Sequence, residues 1–280
     1  MPNAKSHAYF FKPSGVGYEN GPCQSVSVTT NTPRNPLAAL GYQGNVGFID
    51  QPDTADVTIE EFIPADVGLF TDGSITTRAS GVTSLSQIAV DDDANPSGVD
   101  IAGALGCQLN SVTFNFTAGQ PARTTWGFLG KGGLASIDED TPLSGTGDNF
   151  TVLLWQDVNI VSGSLGGALS AAVTQKGVQS ATFNGTINKD SLFSLGVEGV
   201  YQYVTTFPIT VNVSLESYGS LTTNPATASG NIAVGPVLAR NVKLSSAGES
   251  ISVGGYRTRT EQWSGSDLWW KGTPNGVVRT

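Results

Sequence analysis

The sequence predicts a mainly β protein made of two tandem sandwich- or barrel-like domains, each with a short helix, and three observations carry this. Apolar and polar residues alternate with period two over several stretches, chain-breaking residues are dense, and one block of sequence recurs in the second half. Glycine fills 35 of 280 positions, well above its usual share near 7%, while charged residues make up only 13%. That composition disfavours long helices, yet 39% hydrophobic residues suffice to build one or two cores.

The repeat organises the chain. Gln24-Ser25-Val26-Ser27-Val28, followed by Arg34-Asn35-Pro36-Leu37-Ala38-Ala39-Leu40-Gly41, falls at an offset of 155 on Gln179-Ser180-Ala181-Thr182-Phe183 and Lys189-Asp190-Ser191-Leu192-Phe193-Ser194-Leu195-Gly196. One residue further in offset, Val57-Thr58-Ile59-Glu60-Glu61-Phe62 lies on Val213-Ser214-Leu215-Glu216-Ser217-Tyr218. At an offset of 135, Leu109, Phe116, Gly119 and Phe128 meet Leu244, Ile251, Gly254 and Trp263. Collinear matches with drifting offsets describe a tandem duplication whose surface loops differ in length. Between the copies, residues 131–149 hold Gly132, Gly133, Asp138-Glu139-Asp140, Pro142 and Gly145, a polar linker that divides the chain into domains 1–140 and 141–280.

Taken in order, Tyr9 to Phe11 reads as an opening strand, with Val152 to Trp155 as its rough counterpart. Asn35 as N-cap, Pro36 at the first helical position and Gly41 at C′ predict a short helix, and Asp190, Ser191 and Gly196 predict its copy. So short a helix must dock, which makes Leu37, Leu40 and Gly41, with Leu192, Leu195 and Gly196, candidates for packing between domains or subunits, or into the domain's own core. Asp56 to Glu61 alternates Val57 and Ile59 against Asp56, Thr58 and Glu60. Ser111 to Ala118 sets Val112, Phe114 and Phe116 against Ser111, Thr113, Asn115 and Thr117. A further helix is suggested at Gly163 to Val173, and Val211 to Tyr218 again alternates, Val211, Val213 and Leu215 opposing Asn212, Ser214 and Glu216. Each strand thus has one dry and one wet face, as in antiparallel sheets that cover a core on one side.

Several function classes drop out. With 14 Lys and Arg against 23 Asp and Glu the net charge is −9, unsuited to gripping phosphate backbones. The excess is concentrated in residues 1–147; residues 148–280 are neutral. The first residues lack a signal peptide's apolar run, and no stretch is long and apolar enough to span a membrane as a helix. Lone His7 offers little to a histidine-based triad, and nucleophile-elbow, phosphate-loop and zinc-ligand spacings are missing. Cys23 and Cys107 align with Val178 and Val242, so they read as small buried hydrophobes. The acidic clusters Asp91-Asp92-Asp93 and Asp138-Glu139-Asp140 read as solvated loops without the spacing of an EF-hand. Paired carboxylates for glycoside hydrolysis, with Trp269-Trp270 as a sugar platform, form a rival reading that an arm packing on its own domain outweighs. No catalytic residue, cofactor or metal is expected.

Over residues 178–218, the run Val178 to Phe183, then Lys189 to Gly196, then Tyr201 to Tyr218 with Phe207-Pro208-Ile209-Thr210-Val211, resembles the tail tube proteins of long-tailed bacteriophages. The first half joins this resemblance only through the internal repeat, and its Gln51 to Asp56 depart from the Phe207-Pro208 run. The resemblance implies a non-enzymatic virion protein, synthesised in the host cytoplasm and placed in the phage tail. Its copies stack as rings and join strands into a hollow conduit with an acidic or polar lumen through which DNA passes. A doubled chain implies trimeric, pseudo-hexameric rings, with a hexamer of double-domain chains as the alternative. Further neighbours would be tape-measure, tail terminator and baseplate or tail-tip proteins; no membrane is involved. Carried onto this sequence, the lumen candidates are Asp56, Thr58, Glu60, Thr113, Asn115, Thr117, Asn212, Ser214, Glu216, Ser250 and Ser252, none of them basic. The competing function is a virion or cell-surface β-sandwich serving as a decoration, tail-tip or carbohydrate-binding module.

Overall fold

In the computed structural model the chain is mainly β, with one large sheet and one two-stranded sheet. The structure describes residues 7–13, 19–20, 23–41, 43–50, 52–63, 73–77, 84–92, 101–132, 135–137, 152–155, 158, 160–161, 178–197, 200–218, 229–251 and 255–270. The first half supplies β1 (His7–Pro13), β2 (Glu19–Asn20), β3 (Cys23–Asn31), β4 (Arg34–Ala38), β5 (Asn45–Asp50), β6 (Thr54–Phe62), β7 (Gly73–Ser74), one helical turn α1 (Ile75–Thr77), β8 (Ser84–Asp92), β9 (Ile101–Thr117), β10 (Arg123–Gly130) and β11 (Ala135–Ile137). The second supplies β12 (Ile160–Val161), β13 (Val178–Leu192), β14 (Gln202–Tyr218), β15 (Ser229–Val234), β16 (Val237–Ile251), β17 (Arg257–Gly265) and β18 (Asp267–Trp270).

Eight of these strands form an antiparallel run in the order β16-β17-β14-β13-β9-β10-β6-β3. Each half contributes four strands in the same order, and the halves meet where β9 pairs with β13, from Thr117 opposite Ser180 to Ser111 opposite Thr186. The domain boundary near residue 140 lies outside the described residues, but the two halves share this sheet and one cluster of buried side chains.

Irregularities recur at the repeat offsets. β3 skips a residue against β6 between Cys23 and Ser25, and β13 skips against β14 between Val178 and Ser180. Asn110 is the extra residue of β9 against β10, and Ser245 that of β16 against β17. Gly106 and Asn241, with φ of +60° and +51°, occupy equivalent left-handed positions just before those bulges. There the long strands β9 and β16 change partners, and bulges and such dihedrals let a strand turn a corner. β9 then pairs with β8 and β11, as β16 does with β15 and β18. The counterpart of β1 is β12, since these pair with β8 and β15 respectively; it is not the expected segment at Val152 to Trp155, whose Leu154 bridges Pro121.

Two expected helices are strands. Residues 34–38 form β4, paired with β5 in a separate hairpin, and residues 190–192 continue β13 alongside β14. Gly41 and Gly196 do take left-handed dihedrals, φ of +92° and +80°, but at hairpin tips instead of helix ends. A glycine of this conformation ends a helix or reverses a hairpin equally well, and the partner strand decides between them. The helix suggested at Gly163 to Val173 lies outside the described residues.

The core lies on one side of the eight-stranded run. Val57 and Ile59 of β6, Val112, Phe114 and Phe116 of β9, Phe183 of β13, and Val211, Val213 and Leu215 of β14 are all buried in one cluster. β18 covers this face: the Trp270 ring lies 5.9 Å from Phe114 and 5.5 Å from Trp126. Trp269-Trp270 is therefore packing material, with the Arg240 guanidinium 4.1 Å over the half-buried Trp269 ring. Cys107 is buried, its thiol donating to the Ala104 carbonyl at 3.3 Å, and burial pushes its pKa up to about 12, which suits the inert hydrophobe its alignment with Val242 suggested.

The junction of the halves is clamped from the dry side. Phe116 meets Phe183 edge-on at 6.2 Å, and Ile75 of α1, fully buried, sits over Gly185, where any Cβ would collide with it. Thr76 holds α1 in place, its hydroxyl donating to Asp267 at 2.7 Å and its backbone N–H at 3.3 Å. Replacing Ile75 by Ala empties this site, and chemical denaturation should record a loss of about 2–5 kcal/mol. A change below about 1 kcal/mol, the range of ordinary surface substitutions, would mean that the clamp carries little.

Candidate functional site: the hydrophilic sheet face

The face opposite the core is hydrophilic from one end of the run to the other. Following paired residues across all eight strands gives Ser25, Glu60, Thr125, Thr113, Asn184, Asn212, Ser264 and Lys243, every one polar. A neighbouring row runs Arg123, Asn115, Thr182, Ser214, Gln262 and Ser246, and another Ser27, Thr58, Gly127, Ser111, Thr186 and Thr210. Period-two alternation produces this directly, because every strand that sends Val, Ile or Phe to the core sends its intervening residue the other way.

Hydrogen bonds knit the face across strands. Ser25 donates to Glu60 and Ser180 to Glu216, each at 3.4 Å, the same contact in both repeats. Thr182 donates to Asn115 at 3.1 Å across the junction of the halves, Gln262 to Ser214 at 2.8 Å, and Asn31 to Asp56 at 2.8 Å.

The lumen candidates Asp56, Thr58, Glu60, Thr113, Asn115, Thr117, Asn212, Ser214, Glu216 and Ser250 share this one face; Ser252 lies outside the described residues. Those candidates include no base, but the strands between them do. Arg123 and Lys243 occupy the same rows and are exposed. The Arg123 guanidinium donates to Glu60 at 3.0 Å and lies 5.3 Å from the centre of the Phe62 ring. At the margin of the face, Lys189 donates to Gln108 at 3.0 Å, and burial holds its pKa below the ordinary lysine value. The face is therefore mixed and close to charge balance, a correction to its expected freedom from cations. Sequence reading missed Arg123 and Lys243 because row membership depends on pairing across strands.

The repeats are staggered. Ser25 and Ser180 are equivalent, yet the row through Ser25 crosses β13 at Asn184, four residues further along. Four residues at about 3.3 Å each, over four strands about 4.8 Å apart, correspond to a strand tilt of about 35°. Closed barrels have tilts of about 35–45°.

The leucines expected to pack between domains or subunits end up elsewhere than in the core. Leu37 and Leu192 are exposed on strand ends, and Leu40 and Leu195, beside Gly41 and Gly196 at the hairpin tips, are fully exposed. His7 stands in β1 opposite Asp92 of β8, so Asp91 and Asp92 belong to a strand and not to the loop expected there. Asp93 and residues 138–140 lie outside the described residues. Among the described residues no group of three His, Cys, Asp or Glu side chains converges to hold a metal.

Two carboxylates point the other way, into the core. Glu61 follows Glu60 on β6 and falls in phase with Val57 and Ile59; it is buried and accepts a hydrogen bond from the Trp126 indole at 2.7 Å. Burial pushes its pKa up to about 8 against the lowering effect of that bond, so the carboxyl is mostly protonated at neutral pH. On β17, Glu261 is buried, ion-paired with buried Arg259 and bonded by the Trp263 indole at 3.2 Å. Phase alone could have flagged both, since each occupies a dry-face position of its strand.

No family model and no curated protein sequence matches this chain.

Glu61 makes stability depend on pH. Its folded pKa, about 8, lies well above the ordinary glutamate value of 4.5. Below about 4.5 both states hold the proton and nothing is lost; as pH rises towards 8 the unfolded chain releases it first, and stability falls. Glu61→Gln should abolish that component, so the difference in urea midpoint between variant and parent should grow in the variant's favour from pH 4.5 to 8. A constant difference would mean that Glu61 titrates normally.

Proposed function

We propose that this protein is a structural subunit of a phage tail tube, whose hydrophilic sheet face lines a conduit for DNA. The observation that carries this reading is the eight-stranded run itself: both halves of the chain contribute equivalent strands to one sheet whose face opposite the core is predominantly polar. The resemblance of residues 178–218 to tail tube proteins supplies the context, and the stagger between repeats supports closure, since it matches the tilt of a barrel wall.

Magnitudes favour three chains per ring over six. Three copies of the run give twenty-four strands, and at a spacing of about 4.8 Å and a tilt of about 35° these enclose a cylinder about 45 Å across between backbones. Side chains narrow that bore to a width suited to a DNA duplex. Six copies would give about 90 Å by the same geometry, far more than a conduit for one duplex needs.

The proposed lining slides past DNA without holding it. Hydroxyls and amides dominate, and the Arg123 guanidinium is engaged by Glu60 at 3.0 Å. Few cations are left to displace counterions from the phosphates, so a duplex meets no deep well at each ring. A strongly basic lining would bind at every level and stall transit.

Negative-stain electron microscopy of the purified protein tests assembly: rings or stacked tubes with a central hole are expected, whereas monomers persisting at high concentration would overturn the reading. The lining is tested by Glu60→Lys with Glu216→Lys in assembled particles. Glu216 is exposed and Glu60 half-buried on the solvent side of the sheet, its ion pair with Arg123 a surface one, so the unfolding free energy should move by less than about 1 kcal/mol, while DNA delivery slows as cations accumulate in the bore. Delivery at the parental rate would place these residues away from the DNA path.

A further inference from the structure

We propose that the β9–β13 junction inside the chain is repeated between chains, β3 of one copy seating against the C-terminal part of β16 of the next in the same register. The proposal rests on the tube reading and adds its lateral contact, residue by residue.

The sheet order supplies the first argument. β3 is the repeat mate of β13, and β16 that of β9; β3 is the last strand of the sheet on one side, and Ser246–Ile251 of β16, paired with β17, form the margin of the eight-stranded run on the other. A second copy translated along the run therefore brings together the same two types of strand that already pair inside the chain.

Unequal burial of equivalent residues supplies the second. Phe116 is 6% exposed because β13 covers it, whereas its mate Ile251 is 68% exposed. Tyr203 is 5% exposed, its hydroxyl donating to the Gly130 carbonyl at 2.7 Å where β14 crosses the end of β10; its mate Phe48 is 61% exposed. In each pair the buried member is covered by the other half of the chain, and the exposed member has no other half to cover it. The repeat assigns the missing cover to another copy: Val28, mate of Phe183, for Ile251, and the end of β17 at Gly265, mate of Gly130, for Phe48. Phenylalanine in place of tyrosine also needs no acceptor there. By contrast, Leu40 and Leu195 are exposed in both repeats, so they take no part in this junction.

The register follows from the internal pairs. Phe116 opposite Ala181, Asn115 opposite Thr182 and Thr113 opposite Asn184 become Ile251 opposite Val26, Ser250 opposite Ser27 and Gly248 opposite Thr29. Ser27 and Ser250 then stand where Thr182 donates to Asn115, and the hydrophilic face continues from chain to chain without a break. One difference weakens the intermolecular version. The internal Lys189–Gln108 hydrogen bond, 3.0 Å long, maps onto Arg34 and Lys243, two side chains that only donate and so cannot reproduce it. The contact is head-to-tail, which closes a ring when the rotation permits.

Site-directed cross-linking tests the register. In a Cys23→Val background, Ser27→Cys with Ser250→Cys should give a ladder of disulfide-linked multimers on mild oxidation, resolved on a non-reducing gel. Either single variant, and Ser27→Cys with Ser246→Cys, four residues out of register, should give none. Ile251→Asp, at a position exposed in the single chain, should abolish rings and leave the urea midpoint unchanged at a dilution where the parent is also monomeric. Rings without the Ser27–Ser250 ladder, or a ladder from the out-of-register pair, would overturn the register while leaving the tube reading intact. Rings formed by Ile251→Asp would overturn the junction in the same way. Neither rings nor ladder in the Ser27–Ser250 variant, with no rings from the parent chain, would overturn both.

Discussion

The backbone ladder between β9 and β13 is the constraint on which the molecule depends. It turns two sets of four strands into one sheet, with Thr117 to Ser111 opposite Ser180 to Thr186. A slip of one residue here would turn one strand over against the other, sending Phe183 to the wet side while Thr182 and Asn184 entered the core. The register is held from both sides: Phe116 against Phe183 and Ile75 over Gly185 on the dry face, Thr182 to Asn115 on the wet one. The core, the rows of polar residues and the stagger between repeats all follow from that single alignment.

The two repeats solve one core problem in different ways. Positions 126 and 261 are equivalent, yet the first carries Trp and the second Glu. Trp126 bonds a carboxyl from the neighbouring strand, Glu61, which desolvation keeps mostly protonated at neutral pH. Glu261 is instead paired with Arg259 on its own strand and bonded by Trp263. A neutral carboxyl and a paired carboxylate both avoid an isolated buried charge, which would cost several kcal/mol. The second solution adds little net stability over an apolar core, but losing either partner alone would be expensive.

Exposure separates two kinds of surface on this chain. Where one repeat buries a side chain and its mate leaves it open, as with Phe116 and Ile251, the missing cover is what a further repeat would provide. Where both leave it open, as at Leu40 and Leu195, the exposure does not depend on the other half. Internal duplication thus acts as a control experiment within one molecule, because local sequence is similar and only the neighbourhood differs.

Much of this was legible in the sequence. Val57 and Ile59, Phe114 and Phe116, and Val213 and Leu215 announced their strands and their dry faces, since side-chain alternation is a local property of an extended chain. Pro36, Gly41, Asp190 and Gly196 misled, because the residues that start and stop helices also punctuate hairpins, and only the pairing of β4 with β5 and of β13 with β14 separates the two cases. The sequence by itself therefore determined the strands, their two faces and the repeat. Tertiary structure alone decided that Arg123 and Lys243 share a face with Glu60 and Glu216, that the halves join through β9 and β13, and that they do so with a four-residue stagger. The physical reason is that register is settled between residues distant along the chain, by which alignment buries both dry faces together while satisfying every backbone hydrogen bond, and no local pattern encodes that choice.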